Sequence, residues 1–262
     1  MKEKTSLRNT LKYEGKKKKK EKEKEKEKKE FVEKEEKEFV EKGKKANQDN
    51  ATNFTLLWES IKKNYIFFFV VCFCLYKFKQ NKKYTSSYIQ LFLSFLAITW
   101  IGHFAHFASH NIHFLEIYKK SGSLFTQNKV IDSVATNILS FLDFHDTTHH
   151  DSSINKEWKN IFYEFVNNLI TQGIGLILFI KFIDIRVVIL WAFMYATVHN
   201  INYLFIKPST HQDHHFYPNT NYGIDFSDII FNTKHNVHDI EEHNHAAFNL
   251  LVIVYIISYF TE

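Results

Sequence analysis

Residues 88–113 read YIQLFLSFLAITWIGHFAHFASHNIH, and this stretch decides the architecture. Its first part, Tyr88–Phe104, is nearly free of charge and apolar on every side, which predicts a helix immersed in other helices or in lipid. Its second part carries His103, His106, His110 and His113. At about 100° per residue these four fall within roughly an 80° arc, a single stripe of imidazoles on one helix face. These residues therefore predict a membrane-type helix that ends in a row of potential metal ligands.

Three further histidine groups lie downstream: His145/His149/His150, the single His199, and His211/His214/His215. With His106 and His110 they make nine candidate ligands. Imidazole binds transition metals in its neutral form, and pairs at i,i+3 or i,i+4 let two rings reach one ion. A lone histidine on an apolar helix is more often a satisfied core residue; four recurrences in one small body point instead to a metal site. Nine ligands exceed what one ion takes, so two ions with four or five imidazoles each are expected. Carboxylates are sparse around these groups. Asp146, Asp151 and Asp213 stand next to histidines in sequence, either as partners that fix imidazole tautomers or as solvated helix-end charges.

Other apolar runs surround the histidines. Tyr65–Phe78 is short for a span, Leu169–Ile183 and Val187–Phe205 read as a helical hairpin turning at Asp184 and Arg186, and Ala246–Phe260 is a last apolar helix. The expected fold is an all-α integral membrane bundle of about four membrane helices with a cytosolic histidine-rich metal-binding cap. Pro208 and Pro218 bracket the third histidine group as a separate segment.

Composition divides the chain in the same way. Residues 1–50 hold 19 basic and 13 acidic side chains, whereas the remainder holds 15 and 16. The formal charge of +5 therefore belongs to a disordered Lys/Glu-rich tail, with residues 51–262 forming the membrane domain. The alternating run at 16–30 places like charges at i,i+4, which opposes a stable single helix. The tail also draws mean hydropathy down to −0.29, although aromatics reach 17% with 27 Phe, a composition at home beside lipid. A basic tail is expected on the cytoplasmic side, which brings every histidine group to that side too. The charged N-terminus predicts no cleavable signal peptide. Cys72 and Cys74 form neither a disulfide framework nor a CxxC knuckle and read as buried thiols in a membrane segment. Nothing in the body points to nucleic acid.

The segment His211-Gln-Asp-His214-His215, followed by Asn221-Tyr222-Gly223 and then Asp228-Ile-Ile-Phe-Asn-Thr233, resembles the end of the fatty acid hydroxylase / sterol desaturase superfamily, which carries HxxHH, then NYG, then a WD-x-x-F-G-T-like word. The resemblance runs from about His103 to Thr233, half of the chain. The family's HxxxH corresponds to His106-Phe-Ala-Ser-His110, with His103 and His113 competing for a place in that pair. Its second HxxHH is matched with an insertion, as His145-Asp-Thr-Thr-His149-His150. His199 matches the lone histidine at the membrane exit, and where some members have a second histidine one turn later this chain has Tyr203.

The resemblance implies a membrane enzyme of the endoplasmic reticulum type with a cytosolic active site. It would hold two iron ions, with zinc as an alternative occupant, and use O2 and two electrons to hydroxylate or desaturate a fatty acyl or sterol substrate. The metal ligands would be the nine histidines, with Asp146, Asp213, Asn221 and Tyr203 as supporting partners. Unactivated C–H bonds lie beyond the reach of side-chain acids and bases, which explains why such chemistry recruits metal. The His-Pro-Gly-Gly word of a fused cytochrome b5 domain is absent, so electrons are expected from a separate cytochrome b5 and reductase. The segment 239–245 is expected to form a polar cap helix, or alternatively to close over the site. Two rival readings remain at this level: a metal-handling membrane protein, and a non-catalytic protein retaining the fold.

Overall fold

The computed structural model describes residues 50–121, 128–145, 150, 158–173 and 182–261. The Lys/Glu run, His149, Asp146 and Asp151 lie outside these residues. The chain divides into two units, Met1–Thr52 and Asn53–Glu262, and the second contains the helical bundle and every candidate histidine. Among the described residues it is helical without strands. In chain order the helices are α1 (Asn50–Lys63), α2 (Tyr65–Gln80), α3 (Tyr88–Asn111), α4 (Phe114–Lys120), α5 (Lys129–Leu142) and α6 (Trp158–Gly173). Next, α7 (Ile185–Thr197) continues through a π-helical turn (Val198–Asn202) into α8 (Tyr203–Ile206). The last three are α9 (Ser209–Phe216), α10 (Asp225–Phe231) and α11 (Ala247–Thr261), the last preceded by a 3₁₀ turn at Asn244–Ala246.

Helix α7 is the centre of the bundle, packed against α3, α6 and α11, while α2 packs on α3 and α11. The paired contacts give the helix directions. Glu164 meets His199 and Gln172 meets Trp191, so α6 and α7 run antiparallel, as the expected hairpin requires. Phe67 bonds Asn244, Cys74 lies against the Leu250 carbonyl and Asn81 bonds Thr261, so α2 and α11 run parallel. The start of α2, the end of α3, the start of α6, the end of α7 and the start of α11 therefore gather at one end. All the described candidate histidines lie there.

The opposite end is clamped by Arg186, which is 1% exposed. Its guanidinium forks onto Asp184 (2.9 and 2.7 Å), donates to the Phe78 carbonyl (2.6 Å) and lies 4.0 Å over the Tyr84 ring. Ser86 donates to the same carboxylate at 2.6 Å, and Asp184 caps α7 through the Arg186 N–H. Burial alone would raise the Asp184 carboxyl, but the hydrogen bonds from Arg186 and Ser86 hold it below its ordinary range. The two charges that the sequence marks as a hairpin turn are thus a fully satisfied buried pair.

Three helices are long and apolar enough to cross a membrane: Tyr88–Asn111, Ile185–Ile206 and Asn244–Thr261. A further span, expected at Leu169–Ile183, falls largely on 174–181, outside the described residues, and the described part of the bundle differs from a span in length or polarity elsewhere. Helix α2 is apolar but has 16 residues, which span about 24 Å, less than the roughly 30 Å of a hydrocarbon core. Helix α6 carries an inward polar stripe, Asn167, Asn168 and Gln172, all buried. Large apolar side chains cover the outside of the bundle instead: Phe92, Leu93, Trp100 and Phe104 on α3, and Phe248, Tyr255, Tyr259 and Phe260 on α11 are exposed. Such contiguous exposed apolar surface is what a lipid-facing wall requires. Cys72 is exposed on α2 and Cys74 buried, so only one of the two expected buried thiols is buried.

The amphipathic helix α5 has no buried residue and leaves Val130, Ile131, Val134 and Ile138 exposed. It is braced to α4 by Tyr118 donating to Asp132 (2.9 Å) and by the Asp143 carboxylate accepting from the Phe114 and Leu115 N–H groups. That bracing sets the chain direction two residues before His145.

Candidate metal centre

Helix α3 approaches α6 and α7 closely just before its histidines, and Gly102 makes this possible. A Cβ there would collide with Gln172 Oε1 and lie 2.9 Å from Trp191 Nε1. One turn on, His106 and His110 converge with His145, after α5, and His214, on α9. One ligand atom from each of these four buried residues lies within 4.8 Å of the others, an arrangement that can hold a metal ion. His106 Nε2 and His145 Nε2 are 2.9 Å apart.

Tautomers follow from the partners. His106 Nδ1 lies 2.7 Å from the Tyr222 carbonyl and His214 Nδ1 2.6 Å from the Thr220 carbonyl. A carbonyl only accepts, so both Nδ1 atoms carry the proton and both Nε2 atoms present lone pairs inward. His214 Nε2 is buried without a hydrogen-bond partner in a residue 1% exposed. An orphaned inward lone pair is costly in a protein interior and is what a metal ion would satisfy. Burial, reinforced by His110, pushes the His214 imidazole down to about 3. Burial, then His214 and His110, pushes His150 far below its ordinary value. Both are neutral at pH 7, the ligating form.

Next to this quartet runs a second set. The His150 ring is 4.6 Å from His110 on one side and 4.6 Å from His215 on the other. His215 Nε2 is 3.2 Å from His211 Nε2, and the His211 ring is 4.8 Å from that of His199, which projects from the π-helical turn. His199 Nε2 faces Glu164 Oε1 of α6 at 3.6 Å. Of the nine candidate histidines, eight are thereby in one continuous cluster, and His149 is outside the described residues. His103 does not replace a member: it is buried 3.5 Å from Asp228 and under Phe231. His113 is exposed ahead of α4.

Of the expected supporting partners, Asp146 lies outside the described residues, and Asp213, Asn221 and Tyr203 are described. Asp213 sits about 160° around α9 from His211, and its charged neighbours are His235, Asp239 and Lys234. Among the described residues its carboxylate bonds none of the clustered imidazoles. Asn221, at φ 54, is a turn residue whose side chain donates to the Thr210 carbonyl and accepts from the His235 N–H. Tyr203 does border the site: its ring is 4.4 Å from His211, while its hydroxyl donates to Glu241 at 2.6 Å. The backbone carbonyls of Thr220 and Tyr222 hold the imidazoles of His214 and His106.

Those carbonyls are aimed by Asp228. Its carboxylate accepts from the Tyr222 N–H (2.9 Å), the Gly223 N–H (3.1 Å) and the Thr233 hydroxyl (2.7 Å), while Asn221 N–H bonds the Thr233 carbonyl at 2.8 Å. The Asn221-Tyr222-Gly223 and Asp228–Thr233 words are one folded unit. Burial pushes the Asp228 carboxyl up to about 7, against the pull of these hydrogen bonds. Gly223 is required here because a Cβ would sit 3.0 Å from His103 Nδ1.

A cavity of about 50 Å³ adjoins the cluster, lined by His106, His199, His211, Tyr195, Tyr203 and Glu241 among others. It has room for a few waters. The segment before α11 is not the expected polar helix; it is extended and turn-like, with Glu241 and His243 buried against this cavity. Glu241, His243 and His245 also bring donor atoms within 4.8 Å. One nitrogen of each imidazole is engaged here: His243 Nε2 accepts from the Asp225 N–H (3.1 Å) and His245 Nδ1 from the Asn202 amide (3.0 Å), while His245 Nε2 is buried without a partner. This second group braces α10 against the segment before α11.

Sequence reading missed Glu164, Glu241 and the role of Asp228. A signal for the first exists in α6, where Glu164, Asn167, Asn168, Thr171 and Gln172 recur at i, i+3, i+4, i+7 and i+8, a polar stripe on an apolar helix. Comparison of the chain with family models, with curated proteins and with solved structures gives no match.

Proposed function

We propose that this protein is a membrane-bound dinuclear iron oxygenase, of the fatty acid hydroxylase / sterol desaturase type, acting on an aliphatic lipid. The observation that carries the reading is the buried His106–His110–His145–His214 quartet, in which backbone carbonyls fix the tautomers of His106 and His214 so that their Nε2 lone pairs face inward beside membrane-length helices. The first ion would be held by that quartet, and the second by the set containing His199, His211 and His215, with His150 between them. Bound iron would supply the reductive activation of O2 that C–H cleavage needs.

Hydroxylation balances as R–H + O2 + 2 e⁻ + 2 H⁺ → R–OH + H2O; desaturation consumes the same reductant and gives an alkene and two waters. The electrons would come from a separate cytochrome b5-type donor. The chain's own contribution is to hold neutral imidazoles, exclude bulk water and present the site at the membrane edge. The cavity beside the cluster is too small for an acyl chain or a sterol, so the lipid would reach the quartet from the bilayer side, past α3 and α5. The basic tail and the grouping of histidines at one end support an endoplasmic reticulum-type membrane with the site facing the cytosol.

The test is lipid analysis of cells expressing the wild type and His214→Ala, with metal measured in the purified proteins. One lipid class gaining oxygen or losing two hydrogens, in the wild type alone, is the expected result. Iron-loaded wild type that leaves every lipid unchanged would make the protein a metal-handling or non-catalytic one.

A further inference from the structure

Resting on the two-ion reading above, we infer that Glu164 is a carboxylate ligand of the second metal ion, alongside His199, His211 and His215. Glu164 comes from α6, outside every histidine motif, and its side chain is 13% exposed. Its Oε1 lies 3.6 Å from His199 Nε2. That separation is too long for an N–H···O hydrogen bond. It is close to the roughly 3.4 Å between two donor atoms that share one ion with bonds of about 2.0–2.2 Å. The neighbouring nitrogens of His211 and His215, at 3.2 Å, have the same spacing.

Two tyrosines also border His199, and Tyr195 stacks on it at 5.5 Å with its hydroxyl 3.3 Å from His106 Nδ1. Tyr203 stacks on His211 with its ring, but its hydroxyl is given to Glu241. A neutral phenol donating to a carboxylate is not a ligand, whereas the Glu164 carboxylate faces His199 directly. Chemistry agrees: a carboxylate is a common partner of imidazole in iron sites, and its charge offsets part of the cation's. Helix α6 can deliver it because α6 is antiparallel to α7. Gly102 and Gln172 fix its register against α3, and Gln172 bonds both the Gly102 carbonyl and Trp191.

The experiment counts metal in the full chain, purified in lipid nanodiscs and loaded with Fe(II) or Co(II). Wild type is expected to bind two ions per chain, Glu164→Gln one, and His214→Ala one. Co(II) spectra of the two variants should differ, since each retains a different site. Glu164→Asp, which keeps the carboxylate, should restore the second ion at reduced affinity. A glutamine keeps a polar oxygen facing His199, so a merely orienting role predicts two ions in Glu164→Gln with unchanged affinity, and that result overturns the inference while leaving the two-ion reading intact. A wild type that binds one ion overturns both. Thermal unfolding of each variant identifies any loss that comes from misfolding, and Glu164→Asp then decides the matter: two ions uphold the ligand, one ion with a wild-type unfolding curve rejects it.

Discussion

The Tyr222 carbonyl lies 2.7 Å from His106 Nδ1 and fixes the tautomer that turns Nε2 toward the histidine quartet. Tyr222 is held in turn by its own N–H bonding the buried Asp228 carboxylate at 2.9 Å. The route from Asp228 through Tyr222 to His106 joins three elements that are distant in sequence, α10, the turn before it and α3. It is the means by which the end of the chain orients a ligand near its middle.

Asp228→Ala should therefore weaken metal binding without removing any ligand. Partners that orient a metal-bound imidazole are worth about 10–100-fold in affinity, and that loss is expected in a Co(II) titration of the variant. The orphaned N–H groups of Tyr222 and Gly223 should also cost about 1–3 kcal/mol of stability, read as a lower unfolding temperature of the apo protein. Unchanged metal affinity would show that the turn holds its shape without this carboxylate.

Stability should depend on pH through two opposed groups. His214, pushed down to about 3, takes up its proton less readily in the folded state than in the unfolded one. Folded stability is therefore lost as pH falls from about 6.5 toward 3. Asp228, raised to about 7, has the opposite sign, since the folded state gains a proton first and is favoured as pH falls from about 7 toward 4. His150 adds to the first effect, so the apo protein should melt at lower temperature at pH 5 than at pH 7.5. Asp228→Asn removes the opposing group and should steepen that decline. A shallower slope in Asp228→Asn would contradict the assignment.

The two histidine groups should separate under mutation. His110→Ala removes a member of the quartet and should lower metal occupancy by one ion. His243→Ala removes only a brace between α10 and the segment before α11, where His243 accepts from the Asp225 N–H. It should leave occupancy unchanged while costing about 1–3 kcal/mol of stability. Elemental analysis beside a melting curve distinguishes the two, and metal lost from His243→Ala would mean that the second group also binds an ion.

Arg186→Met should be the most destabilising single change in the bundle outside the histidine cluster. It leaves Asp184 buried with an uncompensated charge, a change worth about 3–5 kcal/mol. The double variant Arg186→Met/Asp184→Asn, which removes both charges, should recover much of the loss. Because the clamp is at the opposite end from the histidines, the folded fraction of either variant should keep its metal. Thermal unfolding in detergent with parallel metal analysis reads both quantities.

Some of this organisation is written in local pattern. The apolar length of residues 88–111 and 185–206 and the i,i+3/i+4 spacing of His106/His110 and His211/His214/His215 are properties of single helices, and each helix carries its own face with it. Position along a bundle follows too, because helices that alternate in direction return histidines placed at alternate ends to one side. Partner identity does not follow. Asp213 is expected beside the imidazoles because it adjoins them in sequence, yet a helix turns adjacent residues about 100° apart and sends it to the other face.

Sequence alone thus determined the helical class, the membrane-length segments and the pool of imidazoles. Only the tertiary structure decided which rings meet, that the Thr220 and Tyr222 carbonyls set the tautomers of His214 and His106, and that Glu164 faces His199. It also separated the quartet from the group at Glu241, His243 and His245, which has similar donor atoms but in which one nitrogen of each imidazole is already engaged. The physical reason is one of range. Helix formation and amphipathic faces are set by neighbours within a turn or two, whereas the quartet draws its lone pairs from three separate segments. Where those lone pairs point depends on hydrogen bonds that exist only after the segments have packed.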